Sequence, residues 1–167
     1  MMTARMRMAM SRSSPGFAAE WKACVRHASP QQIDRFLGQM SREEAATLLF
    51  DWPLWARPKQ LPPAGNWRVW LLLAGRGFGK TRAGAEWVRA LATAGAARRI
   101  ALVGDTADDV RHVMVEGPSG VLAIAPADER PVWQRSLRRL EWPNGVVARC
   151  YSAADPEQLL GPEFDHG

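Results

Sequence analysis

Three alternating glycines followed by a lysine and a threonine are the residues of this sequence best suited to chemistry. They lie in the stretch "LLLAGRGFGKTRAGAEW" at positions 71–87. Glycines can adopt the torsions that turn backbone N–H groups inward around phosphate oxygens. A lysine beside them can reach the β- and γ-phosphates of a nucleotide, and a threonine hydroxyl can bind Mg²⁺. The sequence therefore predicts a phosphate-binding loop made by Gly75, Gly77, Gly79, Lys80 and Thr81.

The surroundings of this loop favour the same interpretation. The apolar run "WRVWLLLA" at 67–74 predicts a buried strand before the loop, and "KTRAGAEWVRALATAG" at 80–95 predicts a helix after it that stops at Gly95. The positive end of that helix would point at a bound anion. The pattern G-x-x-x-x-G-K-[ST] is matched only in its last three positions, because Ala74 replaces the first glycine. The alternative is a glycine-rich turn with a solvated lysine.

Arg76 stands inside the predicted loop and adds a second positive charge to it. A guanidinium in this position can lie against the γ-phosphate and neutralise charge that develops during phosphoryl transfer. Arg76 and Lys80 are therefore the candidate catalytic residues. The alternative for Arg76 is a surface arginine without a catalytic role.

Further along the chain, strand and helix signals alternate. The segment "RIALVGD" at 99–105 is typical of a short buried strand in a parallel sheet, and a helix is predicted after it with Thr106 as its cap. Asp105 ends this apolar run like a metal-holding aspartate, but a loop-end or helix-cap position is the preferred interpretation. A β-hairpin is predicted to turn at Asn144-Gly145. The pattern predicts an α/β fold with a doubly wound parallel sheet.

The N-terminal third of the chain differs in character from the rest. Residues 1–15 are rich in Met, Arg and Ser and contain no acid, so we predict a disordered leader. The alternatives are a start codon assigned too early and, from composition, a transit peptide. Residues 16–66 predict a helical N-terminal region and a proline-rich connector, with a helix that starts at Ser29-Pro30. Residues 67–167 form the predicted α/β domain.

Composition limits the class of protein. A chain of 167 residues with 47% apolar residues suits a globular protein with a sizeable core. No apolar stretch approaches the roughly 18–20 residues that span a bilayer, so no membrane partner is predicted. The net charge of +5 permits an anionic partner such as nucleic acid or a nucleotide, and equally a basic surface that binds nothing. Two cysteines without metal-binding spacing suit a reducing, cytoplasmic location.

The segments "GRGFGKTRAGAEWV" and "IALVGDTADDVRHVMVEGPSG" together resemble the large terminase subunit of tailed phages and gene transfer agents, an ATP-driven DNA-packaging motor. The later segments "LEWPNGVVARCYSAADPEQL" and "GPEFD" resemble the same family, so the resemblance covers the chain from Trp52 to Asp165. It implies a P-loop NTPase of the additional-strand type with ATP and Mg²⁺ as cofactors. The implied partners are double-stranded DNA, the portal protein and the small terminase subunit. A ring of identical subunits is implied for the full-length protein.

The resemblance also implies roles for individual residues. The phosphate-loop lysine and threonine of the family fall at Lys80 and Thr81, with Thr81 as the metal-binding residue, and the loop arginine falls at Arg76. An upstream glutamine that reads adenine falls at Gln60, whose amide can donate to and accept from one base edge. The alternative for Gln60 is an ordinary loop glutamine. The family commonly carries an arginine before the glycine of "GPEFD", where this chain has Leu160.

The next element of the family is an apolar strand that ends in paired acids, and that strand would lie beyond Gly167. We therefore expect an incomplete, truncated P-loop ATPase domain that lacks the family's nuclease domain and has little ATP turnover by itself. One alternative is a non-catalytic fragment that docks on portal or small-terminase partners. A small P-loop kinase is a further alternative, although no lid or acceptor-site pattern accompanies the loop.

A cluster of arginines ahead of the hairpin is the candidate DNA contact. Arg135, Arg138 and Arg139 lie close together in sequence, with Trp133 nearby. Such a patch can touch DNA phosphates. The alternative is a solvated basic face.

Overall fold

The computed structural model describes Val25 and residues 27–167, and the chain falls into two compact units, Met1–Arg57 and Pro58–Gly167. The predicted leader at residues 1–15 lies outside the described residues, as does the beginning of the predicted helical region. Among the described residues, no helix is both long enough and apolar enough to cross a membrane.

The first unit contains the helices α1 (Pro30–Leu37), α2 (Arg42–Phe50) and α3 (Trp52–Trp55). The predicted start of α1 is confirmed. The Ser29 hydroxyl accepts the N–H of Gln32 at 3.3 Å, while the Gln32 side chain accepts the N–H of Ser29 at 2.9 Å. This reciprocal pair satisfies backbone donors that the first turn of a helix leaves without partners.

The second unit is built around a four-stranded mixed sheet. Its strands are β1 (Arg99–Gly104), β2 (Val132–Gln134), β3 (Arg139–Glu141) and β4 (Val147–Ser152). Their order across the sheet is β1-β4-β3-β2. β1 runs parallel to β4 with Leu102 opposite Cys150, whereas β3 is antiparallel to both β4 and β2. The α/β class is confirmed, but the predicted parallel sheet is wrong for two of the three strand pairs.

The predicted hairpin, which is confirmed, explains the mixed sheet. Gly145 at its turn has a φ of 84° and donates its N–H to the Trp142 carbonyl at 2.9 Å. Strands joined by so short a turn pair antiparallel, because a parallel pair needs a long crossover. The Asn144 amide also donates to the Ala92 carbonyl at 2.7 Å, which ties the hairpin to the helix that precedes β1.

The helices of the second unit are α4 (Lys80–Thr93), α5 (Ala107–Asp109), which continues as a π-helix at Val110–Val115, and α6 (Val121–Ile124). The predicted stop of α4 is confirmed, because Gly95 has a φ of 64° and the N–H of Ala96 donates to the Leu91 carbonyl at 3.0 Å. The predicted cap of α5 is also confirmed. The Thr106 hydroxyl accepts the N–H of Asp109 at 3.1 Å.

The core of the second unit joins side chains from the sheet, from α4 and from the π-helix and α6. Its largest fully buried members are Ile100, Val110, Val115, Val121, Ile124 and Leu140. Cys150 belongs to the same core, and burial raises the pKa of its thiol to about 12. The thiol is therefore protonated and contributes packing rather than reactivity.

Residues 67–74, predicted as a buried strand, form no strand. Val69, Leu71 and Leu73 are 80%, 71% and 85% exposed. A strand needs a neighbouring strand for its hydrogen bonds. The edge of β1 that does not face β4 already pairs with His166, whose carbonyl accepts the N–H of Ala101 at 2.8 Å. The prediction of a buried strand is therefore wrong.

Tryptophan packing fixes this extended segment to α4 instead. The rings of Trp67 and Trp70 lie 6.0 and 6.3 Å from the ring of Trp87 on α4, measured between centroids. His166 packs edge-on against the same Trp87 ring at 5.7 Å. The segment that leads into the glycine-rich loop is thus held on the helix that follows the loop.

Asp165 ties the residues after Leu160 to the start of β1. Its carboxylate accepts the backbone N–H groups of Arg99 and Arg98 at 2.8 and 2.7 Å, and these bonds lower the pKa of Asp165 below its ordinary value. A carboxyl whose pKa is lowered by folding stabilises the folded state above its ordinary pKa. This contribution is lost as the pH falls through the lowered pKa.

We therefore expect Asp165→Asn to lower the midpoint of thermal unfolding at neutral pH and to have little effect at pH values well below the ordinary carboxyl pKa of about 4. The measurement is a series of thermal unfolding curves across this pH range. Asp128→Asn, which neutralises an exposed carboxylate, is the control. A difference between wild type and D165N that stays constant with pH would contradict this role of Asp165.

Candidate functional site

The glycine-rich loop turns sharply between the extended segment and α4. Gly77 and Gly79 have φ values of 79° and 86°, a backbone conformation that L side chains adopt only with strain. The N–H of Phe78 points back toward the Gly75 carbonyl at 3.4 Å. Gly77 and Gly79, two of the three glycines selected from the sequence, therefore stand where the backbone favours glycine, whereas Gly75 has no positive φ.

Lys80 folds over the beginning of this loop. Its ammonium group donates to the carbonyl oxygens of Ala74 and Gly75 at 2.7 and 3.0 Å. Phosphate oxygens are stronger partners for an ammonium group than neutral carbonyls, since hydrogen bonds between ionised groups are about twice as strong. The side chain is thus held at the loop and can exchange a carbonyl for a phosphate oxygen.

The N-terminus of α4 offers further donors. Gly79 is the residue that precedes the helix, no side chain caps this end, and its first turn contains no acid. The first N–H groups of a helix lack intrahelical acceptors, and the helix dipole favours an anion beside them. Thr81 lies half-buried in this first turn, next to Lys80. The arrangement can bind an anion through N–H groups, an ammonium group and a hydroxyl.

Gln60 is brought to the loop from outside it. It ends a short 3₁₀ turn, Pro58–Gln60, and its amide donates to the Phe78 carbonyl at 2.9 Å. The side chain is buried, with 6% of the residue exposed. The structure therefore places the glutamine that was singled out from the sequence in direct contact with the predicted loop.

Arg76 is exposed at the tip of the loop, between Gly75 and Gly77. Within the part of the chain that the structure describes, its side chain forms neither a hydrogen bond nor an ion pair. A guanidinium in this position is available to an incoming anion.

An apolar cavity of about 420 Å³ lies beside the loop, between α4 and β1. Lys80 and Thr81 contribute to its lining, but apolar side chains such as Val88, Leu102 and Met114 form most of it. Phosphates need hydrogen-bond donors, and in this lining the donors come chiefly from Lys80 and Thr81. The donors suited to an anion are therefore those of the loop and the start of α4, and the apolar lining adds none.

Glu86 is a buried carboxylate that sequence reasoning missed. It lies on α4, is 3% exposed, and pairs with Arg82 at 2.7 Å and with Arg89 at 2.9 Å. Arg89 also pairs with Glu129 at 3.0 Å, which connects α4 to the turn before β2. The helical spacing of Glu86 from both arginines is sufficient to predict these pairs. An acid in a helix is ordinarily exposed, so the sequence did not indicate that Glu86 would be buried.

We expect Glu86→Ala to lower the free energy of unfolding by about 3 kcal/mol, because it leaves two arginines around a site from which their shared carboxylate has gone. Urea unfolding measures this loss. Glu157→Ala removes an exposed carboxylate and should change the free energy by less than about 0.5 kcal/mol. If both variants lost equally little, the buried network would not stabilise the unit.

The candidate DNA-binding arginines are partly engaged with acids. Arg135 pairs with Glu116 at 2.8 Å, and Arg139 pairs with Glu141 at 3.2 Å. Partial desolvation raises the pKa of Glu116, but its bonds to Arg111 and Arg135 outweigh this effect and lower the pKa overall. These carboxylates offset much of the positive charge, which favours the solvated-face interpretation.

The acids at the end of β1 have structural contacts. The carbonyl oxygen of Asp105 accepts the Ser152 hydroxyl at 2.9 Å, and the Asp109 carboxylate accepts the Thr106 hydroxyl at 2.7 Å. The described residues contain no group of three or more His, Cys, Asp or Glu side chains that could hold a metal ion. Asp105 thus occupies the loop-end position that its sequence context indicates.

Comparison with known proteins identifies a family. The sequence model of the family described as "Terminase large subunit, T4likevirus-type, N-terminal" matches residues 71–167, more than half of the chain. The match begins in the extended segment before the loop and includes α4, the whole sheet and the C-terminal residues. No curated protein and no solved structure matches the chain.

Proposed function

We propose that this chain, which belongs to the terminase large-subunit family and is a component of a phage DNA-packaging motor, binds ATP through residues 75–81. The observation that supports the proposal is the geometry of the loop. Two glycines with positive φ precede a helix that has no side-chain cap, and the Lys80 ammonium group lies over the loop. This is an arrangement of donors that suits the β- and γ-phosphates of a nucleotide.

Each residue of the loop has a proposed task. Lys80 exchanges its carbonyl partners for the β- and γ-phosphate oxygens, and the N–H groups at the start of α4 bind the same oxygens. Arg76 neutralises charge on the γ-phosphate. A catalytic role for Arg76 and Lys80 is thereby electrostatic and needs neither to transfer a proton.

Thr81 is the proposed ligand for Mg²⁺. The donor set fits this ion only in part, because a hydroxyl is a suitable oxygen ligand but no cluster of acids lies among the described residues. Mg²⁺ keeps several waters and commonly binds through substrate phosphates with few protein ligands, so one hydroxyl is compatible with a nucleotide-carried ion. When held beside Thr81, Mg²⁺ would neutralise negative charge on the nucleotide phosphates.

The proposal also covers the partners, the assembly and the fold class of this chain. Family membership gives DNA and other packaging-motor components as partners in general. We propose the portal protein and the small terminase subunit as the specific ones, double-stranded DNA as the cargo, and a ring of identical subunits as the assembly. A P-loop NTPase fold of the additional-strand type is supported by the loop before α4 and by the parallel pair β1–β4.

Isothermal titration calorimetry with ADP, in the presence and in the absence of Mg²⁺, tests nucleotide binding. We expect saturable binding with a stoichiometry near one site per chain, and weaker binding when Mg²⁺ is omitted. The absence of saturable binding at about 1 mM ADP, where a site worth about 4 kcal/mol would be half filled, would contradict the proposal.

A second candidate function is a non-catalytic docking module for the portal protein or the small terminase subunit. The exposed side chains of Val69, Leu71 and Leu73 favour it, since alternate apolar residues on an unpaired extended segment can accept a partner strand. A chain that binds a purified portal protein or small subunit but shows no heat with ADP would support this function and not the first.

A further inference from the structure

Gln60 contacts the glycine-rich loop through one backbone carbonyl, that of Phe78. The Gln60 amide nitrogen donates to the carbonyl oxygen of Phe78 at 2.9 Å, across eighteen positions of sequence. Both residues belong to the same compact unit. The bond is therefore a tertiary contact that holds one defined peptide group of the loop.

The geometry of the peptide group transmits this contact to the next residue. The described chain contains no cis peptide bond, so the Phe78 carbonyl and the Gly79 N–H point in opposite directions across one rigid plane. A bond that draws the carbonyl toward Gln60 therefore directs the Gly79 N–H away from it. That N–H is the donor immediately before Lys80 and α4.

Gly79 is in direct contact with the same amide. A Cβ atom on Gly79 would lie 2.7 Å from the Gln60 nitrogen, closer than such atoms approach in proteins. Gly77 has a similar positive φ but open space around the corresponding position. The Gln60 amide thus fills the space beside Gly79 that a side chain would need.

We propose that Gln60 is a positioning residue, which holds the Phe78–Gly79 peptide in its phosphate-binding orientation instead of reading the adenine base. The proposal rests on nucleotide binding at residues 75–81. Gln60 is 6% exposed, and an N–H of its amide is already used by the Phe78 carbonyl. A base reader must offer its amide edge to the ligand, whereas an amide that is almost fully buried against the Phe78 carbonyl acts on the loop.

Positioning the loop and reading the base predict different changes in ligand affinity for Gln60→Met. This substitution keeps the length of the side chain and removes the hydrogen-bond donor. The ligands to compare by calorimetry are ATP, CTP and inorganic tripolyphosphate, each with Mg²⁺. We expect all three to bind about five- to tenfold more weakly to the variant, as the loss of one hydrogen bond of about 1 kcal/mol predicts. Gln158→Met, at an exposed glutamine of the same unit, should change none of the affinities.

The alternative outcomes are distinct. A loss for ATP alone, with CTP and tripolyphosphate unchanged, would make Gln60 a base reader and overturn the proposal. Unchanged affinities for all three ligands would overturn it as well. If wild type bound ATP but not tripolyphosphate, the base and not the loop would determine affinity, against the proposal. If wild type bound none of the ligands, nucleotide binding at the loop would be refuted together with it.

A measurement without ligand separates positioning from a general loss of stability. The N–H groups of Phe78 and Ala83 bond the carbonyls of Gly75 and Gly79, so their exchange with solvent reports the order of the loop. We expect both to exchange faster in Gln60→Met than in wild type, while amides in the central strand β4 keep their exchange rates. Faster exchange throughout the unit would show that the variant only destabilises the fold. Unchanged exchange at Phe78 and Ala83 would show that Gln60 does not position the loop.

Discussion

Replacing Lys80 by alanine is expected to abolish nucleotide binding, with a loss of affinity of at least about a hundredfold. The ammonium group lies over the loop, where it bonds the carbonyls of Ala74 and Gly75, and in our proposal it exchanges both for phosphate oxygens. Each hydrogen bond between charged groups contributes about 1.5–3 kcal/mol, so the loss of two corresponds to this change. Calorimetry with ADP and Mg²⁺ measures it.

The matched control for Lys80→Ala is Arg98→Ala. It also removes one exposed positive charge, but it lies past the far end of α4, a helix of 14 residues and therefore about 20 Å long. We expect its affinity for ADP to stay near that of wild type. Equal affinities of wild type and Lys80→Ala would remove Lys80 from the site, and equal losses in both variants would indicate nonspecific attraction by net charge.

A similarly large effect is expected for Gly79→Ala, with Gly77→Ala as its counterpart. Both residues have positive φ, so alanine at either position strains the loop by about 1–2 kcal/mol. If the empty loop of the variant relaxes out of this torsion and must return to it when the nucleotide binds, the cost corresponds to a five- to thirtyfold loss of affinity. At Gly79 the new methyl group also collides with the Gln60 amide and displaces its bond to Phe78. We therefore expect Gly79→Ala to reduce ADP binding below detection and Gly77→Ala to reduce it partially.

The double variant Gln60→Ala/Gly79→Ala shows whether the collision is the cause. Removing the Gln60 side chain opens the space beside Gly79, so the two losses should not add, as is usual for residues in direct contact. The free energies of ADP binding for both single variants and the double variant decide this. Two results together would show that the collision with Gln60 does not weaken ADP binding. One is an equal loss of affinity in Gly77→Ala and Gly79→Ala, and the other is a double variant whose loss is the sum of the two single losses.

Local features of this fold could be predicted because their signals are contained in a few neighbouring residues. The stop at Gly95, the cap at Thr106 and the turn at Asn144-Gly145 each depend on torsions or hydrogen bonds within one turn of chain. The positive φ values of Gly77 and Gly79 before α4 are the same kind of local requirement. The stop, the cap and the turn are confirmed, and phosphate binding by the loop stays a prediction.

Features that depend on distant partners could not be predicted in the same way. The apolar run at 67–74 indicated burial, but the pattern does not say which strand would pair with it, and the open edge of β1 pairs with residues near 166. The hairpin that forms β3 and β4 was predicted, but the strand β2, which pairs antiparallel with β3, was not. The contact from Gln60 to Phe78 and the burial of Glu86 each depend on elements far apart in sequence or on a helix face that only packing defines.

The most direct test of nucleotide binding at residues 75–81 is the change in backbone amide NMR signals of the ¹⁵N-labelled chain during titration with ADP and Mg²⁺. The proposal predicts saturable shifts that are largest for Gly77, Gly79, Lys80 and Thr81, because their N–H groups would meet the phosphates. The amide signal of Gly145, which has the same type of positive φ in the hairpin turn, should not shift. Saturable shifts confined to other parts of the chain, or no shifts in the loop at ligand concentrations that saturate binding, would contradict the proposed site.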